Sequence, residues 1–222
     1  IGSLAKSAMD MFADPAIADL LRKMGGGVGL LSDVYLSTEL GFIAIIAAAY
    51  GVTTVLRWRA EETQGHTELV LATADSRTRY AASHLLVALL GTAALVFALG
   101  LGTVLADASG GGTLGGAGRV LPAALIRLPA VWVCVGVAVA AIGWFPRWTA
   151  AIGWGALAFF LVVGEFGGVF GMPQWLMDLA PFTHVPRMPV EAFAWPPTIA
   201  LTAVAAGLCI VGVLGFRRRD IG

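Results

Sequence analysis

Five stretches of this chain are each apolar over about 20 residues, the length a helix needs to cross the hydrocarbon core of a bilayer. They run over 36–56, 81–106, 120–145, 148–171 and 197–216. The third is interrupted by Arg127 and the fourth by Glu165. All are rich in Ala, Val, Leu and Gly, and Gly is commoner in membrane helices than in soluble ones. Hydrophobic residues make up 58% of the 222 and charged ones 13%. A soluble globule of this length leaves too much surface in water to hide that fraction. Disorder is excluded by the same numbers. The formal net charge is zero, so no electrostatic footprint for nucleic acid is present. The expected fold is an all-α, polytopic bundle of five membrane spans.

The few charges set the expected orientation. Residues 57–80, Arg147 and the tail hold eight basic residues; Lys6, Arg22, Lys23, Arg119 and Arg187 make five on the other side. The richer side is expected to be cytoplasmic. Trp58, Trp144 and Trp148 are expected at the inner interface and Trp175 and Trp195 at the outer one. Five spans place the N-terminal segment outside, so a sixth, preceding span is expected to be missing from this sequence. The chain then divides into an extracytoplasmic amphipathic segment, 1–35, and a membrane domain, 36–222. In the first, Asp14 and Pro15 suit a helix start. Ile17, Leu20, Leu21 and Met24 share one face of it, which lies on the membrane or packs on the bundle.

Intramembrane ions are costly and mark function by default. Arg127 and Glu165 both lie near the outer ends of adjoining spans, which predicts either an ion pair, as glue or gate, or two side chains snorkelling separately. Glu39 opens the first span at the interface. Pro129 is expected to kink the third span. Gly164, Gly167, Gly168 and Gly171 predict a small-residue face, for close packing or for bending. Cys134 and Cys209 lie in apolar runs and read as small hydrophobes, with no metal-ligand spacing around them. The glycine runs at 25–27 and 110–112 lack the following Gly-Lys-Ser/Thr of a phosphate loop. No catalytic constellation is visible, so no cofactor is expected in this chain.

The segment 57–80 carries both signs of charge: Glu61, Glu62 and Glu68 between the pairs Arg57/Arg59 and Arg77/Arg79, with an apolar patch at 69–71. It suits an interfacial helix with acids offered to a partner, or a solvated loop that fixes topology. Its string Glu61-Glu62-x-x-Gly65-x-x-Glu68-Leu69-x-Leu71-Ala72, then Ser76-Arg77, resembles the first cytoplasmic loop of ATP-binding-cassette exporter permeases of the type-2 class. This chain has Ala74-Asp75 where those permeases usually have a proline. The outer segment 172–196, with Pro181-Phe182-x-His184, and the ending Phe216-Arg217-Arg218-Arg219-Asp220 are similar to the same family. The likeness is greatest to large actinobacterial permeases for antibiotics or multiple drugs.

That resemblance implies a transmembrane permease subunit, or half of one, exporting amphiphilic drugs, antibiotics or lipids from a bacterial cell. Glu61, Glu62, Gly65, Glu68, Leu69, Leu71 and Arg77 would couple it to a separate ATPase subunit that holds ATP and Mg. Further partners would be a second permease half or copy and membrane lipids. An ion-coupled transporter using Glu165 and Arg127, and a membrane scaffold without transport, are the alternatives left open.

Overall fold

The computed structural model describes residues 28–63, 77–109, 117–168 and 170–218. The expected N-terminal amphipathic helix, and Gly65, Glu68, Leu69 and Leu71 of the loop, lie outside them. The described residues form helices α1 (Val28–Thr63), α2 (Arg77–Ser109), α3 (Ala117–Leu125), α4 (Leu128–Trp144), α5 (Thr149–Phe166), α6 (Gln174–Met177) and α7 (Trp195–Arg218). A 3-10 turn, Pro181–His184, lies between α6 and α7. There is no strand among these residues. Five helical stretches are long and apolar enough to span a membrane: Asp33–Glu61, Arg79–Ala106, Ala117–Trp144, Thr149–Phe166 and Trp195–Arg218. These are the five stretches read from hydropathy, and the all-α bundle is as expected.

The helices differ in how deeply they sit. The third stretch has 72% of its apolar window buried, against 22% for the second and fourth. Its inner part, α4, is therefore the axis of the bundle. The composition explains this. Eleven of the 17 α4 residues are Ala, Val or Gly, so neighbours can approach closely on several sides. The surrounding helices bury one face and turn large apolar side chains outward: Phe42 and Ile46 on α1, Leu86 and Leu90 on α2, Ile199 and Ile210 on α7. In water such a surface would aggregate; in lipid it is the solvated face.

The closest approach joins α4 to α7. A Cβ on Gly212 would stand 2.5 Å from the Val139 carbonyl oxygen, and one on Gly143 would overlap the Gly212 carbonyl. Gly136 faces Leu208 and the Ala205 carbonyl in the same way. Two backbones in contact without side chains between them gain dispersion along their whole length. Of the four fourth-span glycines expected to do this, a Cβ on Gly167 would stand 3.0 Å from Met177 and one on Gly164 3.8 Å from Ala180 and Phe182, whereas at Gly168 and Gly171 it would meet nothing within 4 Å. α5 ends at Phe166, so Gly167, Gly168 and Gly171 belong to the turn that follows. Gly171 has φ +61°, the left-handed conformation that stops a helix.

One expectation fails clearly. Trp58 does not turn its ring outward as a headgroup anchor would; it is 1% exposed. α1 continues to Thr63, which carries Trp58 inside the bundle rather than past its end. Its ring stacks on His84 at 5.5 Å and meets Phe216 edge to face at 5.1 Å. Trp144, Trp148, Trp175 and Trp195 are exposed.

Cys134 and Cys209 are free thiols, 2% and 7% exposed in the core. A membrane-impermeant maleimide is therefore expected to leave both unlabelled in the folded protein and to label both after denaturation. Labelling of either in the native state, read by mass, would contradict the packing of α4 and α7.

Candidate functional site

The third span is broken where Arg127 stands. Pro129 has no N–H, so the Leu125 carbonyl loses its helical partner. The Arg127 N–H bonds Ala124 at 3.2 Å, three residues back instead of four, and this frees the Ala123 carbonyl as well. The Arg127 side chain answers the second loss: Nη1 donates to the Ala123 carbonyl. Nη2 donates across to α1, to the Ser37 carbonyl at 2.9 Å and the Ser37 Oγ at 3.2 Å. Arg127 is 6% exposed. The guanidinium thus joins the ends of α3 and α4 to each other and to α1. The expected kink is a full interruption between Leu125 and Leu128.

Glu165 attracts Arg127 through space but neither hydrogen-bonds to it nor pairs with it in contact. It sits in the last turn of α5, one residue before the helix ends, and is exposed. Both side chains line one cavity of about 380 Å³, together with Ser37, Thr38 and Gly41 of α1 and Phe182, Arg187 and Glu191 of the segment before α7. Among the described residues Glu165 makes no hydrogen bond and no ion pair. The two charges predicted to meet therefore face a shared space instead. Nothing in the sequence singled out Ser37. Its position became meaningful only when α1 was laid beside the break.

The opposite end of the bundle gathers the other charged connections. Arg59 Nε donates to the Pro146 carbonyl at 3.0 Å, tying α1 to the short turn between α4 and α5. Glu61 Oε2 lies 3.5 Å from both Tyr80 Oη and His84 Nε2. The Tyr80 ring packs edge to face on His84 at 4.6 Å. Glu61 closes α1 and the other two open α2, so this cluster clasps the two ends of 64–76. Glu62 and Arg77 lie in the final turn of α1 and the first of α2. His84 was not foreseen; its place four residues after Tyr80, on the same helix face, was the available signal. At the other end, Arg119 Nη2 donates to both carboxylate oxygens of Asp33 at 2.8 Å. Among the described residues, Arg59 and Glu61 thus lie at one end of the bundle and Arg119 and Asp33 at the other.

A sequence profile of the family described as "Multidrug efflux system permease Rv1217c, C-terminal domain" matches residues 1–217. The chain belongs to this family. The Mycobacterium tuberculosis protein named "Multidrug efflux system permease protein Rv1217c" is 38% identical over 226 residues. That alignment takes in 100% of this chain and 40% of the relative, so the chain spans about two fifths of the curated relative it matches. Membership and the five apolar helices together make this a multi-pass membrane protein of the efflux-permease class. The exporter-permease resemblance read from residues 57–80 of the sequence agrees with it.

Proposed function

We propose that this chain is a transmembrane part of an ATP-driven exporter that moves amphiphilic compounds out of a bacterial cell. The match to an efflux permease along 217 residues is the observation that carries this reading. In it, the end of the bundle bearing Glu61, Tyr80 and His84 is cytoplasmic, and so are Arg217 and Arg218. The segment from Glu62 to Arg77 receives the movement of a separate ATPase subunit, and the clasp beside it passes that movement to α1 and α2. A second permease half or copy completes the pathway.

Alanine at both Glu62 and Glu68 tests this. The expected outcome is an ATPase that still hydrolyses ATP while substrate efflux falls about tenfold, the effect of losing a charged contact of roughly 1.4 kcal/mol. If ATPase binding and efflux both survive, the loop is not the coupling element. A second reading, an ion-coupled transporter, has one observation in its favour: Glu165 faces the cavity without a hydrogen bond or contact ion pair among the described residues. It requires efflux to collapse with a proton uncoupler while cellular ATP is held constant.

A further inference from the structure

We infer that the cavity between α1, α3/α4 and α5 is a headgroup site for a zwitterionic amphiphile, its anionic part held by Arg127 and its cationic part by Glu165. The inference rests on the export reading and specifies the chemical class of what the protein carries.

The charges of the cavity point to this class. Arg127 is fixed by three acceptors, the Ala123 carbonyl and the carbonyl and hydroxyl of Ser37, all of them neutral. Its position is set, but its charge is not cancelled by direct contact. A buried cation with no anion in contact is expensive even with Glu165 attracting it through space, and an anion placed against it is correspondingly favoured. Glu165 presents the opposite case. Its carboxylate, in the last turn of α5, makes no hydrogen bond and no contact ion pair among the described residues, and the helix dipole there is already negative, so a cation is favoured twice over. The two groups line one space without touching, and a molecule bearing both signs joins them. A singly charged ligand meets one attraction and one repulsion.

The remaining walls suit an amphiphile. Val34, Phe182, Val185 and Val190 supply apolar surface beside the charges. Gly41 leaves room at Glu165: a Cβ there would stand 3.7 Å from Oε1. At the rim, Arg187 and Glu191 again bring one charge of each sign, with the Arg187 N–H donating to Glu191 Oε2 at 2.9 Å. A volume of about 380 Å³ falls in the range of roughly 300–1,000 Å³ typical of small-molecule sites.

Three amphiphiles with the same twelve-carbon tail separate the contributions: dodecylphosphoethanolamine, dodecyl phosphate and dodecylamine. Each is added to the intact permease in neutral maltoside micelles, and retention is read by native mass spectrometry. The zwitterion is expected to bind about tenfold tighter than either half-headgroup. Glu165→Gln should bring the zwitterion down to the level of dodecyl phosphate, weaken dodecylamine, and leave dodecyl phosphate undiminished. Gly41→Leu, which fills the space beside Glu165, should weaken all three.

Wild-type protein that arrives from the membrane with a zwitterionic phospholipid, absent from Glu165→Gln, identifies the occupant as lipid. Wild-type protein that arrives bare and takes up the added zwitterion has a site for cargo. Equal retention of the three headgroups overturns the inference, as does zwitterion binding that survives both substitutions. Neither readout involves ATP or efflux. Loss of headgroup selectivity therefore sinks the site and leaves the export reading standing, whereas a selective site in a protein that exports nothing sinks only the latter.

Discussion

Gly212→Val is expected to lower stability by about 3 kcal/mol, the upper range for forcing side-chain atoms into a packed interior. The first added carbon already stands 2.5 Å from the Val139 carbonyl and 2.7 Å from the Ala140 nitrogen. These are backbone atoms of the most buried helix, so no rotamer change relieves the overlap; α4 and α7 must separate. Separation also breaks the contact at Gly143 and the seat of Gly215 against Trp144. The measurement is thermal unfolding in detergent. Gly102→Ala is the control, because nothing stands within 4 Å of its added carbon. It should be neutral or gain up to about 1 kcal/mol from reduced chain entropy. Equal melting temperatures for the two variants would show that α4 and α7 do not touch as described.

Arg127→Ala carries the other large effect, again about 3 kcal/mol. The substitution strips partners from the Ala123 and Ser37 carbonyls, and a buried polar group left unpaired costs about 1–3 kcal/mol. Removing a desolvated charge returns part of that sum. Arg127→Lys should fall between, since an ammonium lacks the planar fork that reaches two elements at once. Arg119→Ala provides the contrast. Its pair with Asp33 is just as short, but the Arg119 side chain is 62% exposed and such pairs are worth at most about 1 kcal/mol. A ranking of Arg119→Ala at or above Arg127→Ala in destabilisation would mean that the break in the third span is not held by Arg127.

Much of the fold was legible because a membrane span announces itself by composition over a long window. The five stretches and the breaking effect of Pro129 follow from local rules. What escaped were contacts between spans. Trp58 was assigned to the interface by its distance from the end of an apolar run, yet α1 outlasts its apolar stretch and draws the ring inside. Gly143 and Gly212 lie 69 positions apart and look no different from Gly102 or Gly207, which meet nothing. Arg127 and Glu165 were marked by their cost in lipid, and both do line one cavity. Instead of meeting Glu165, the guanidinium is held by the Ala123 carbonyl and by Ser37, a residue whose type is unremarkable in the sequence.

The interruption at Ile126–Arg127 has a mechanical consequence. Above it, α3 packs chiefly on α2; below it, α4 packs chiefly on α7 and α1. A continuous helix would oblige all of these to move as one. The broken span is instead a strut in two lengths, each bolted to a different neighbour and meeting at a single guanidinium. The junction between the two lengths borders the cavity.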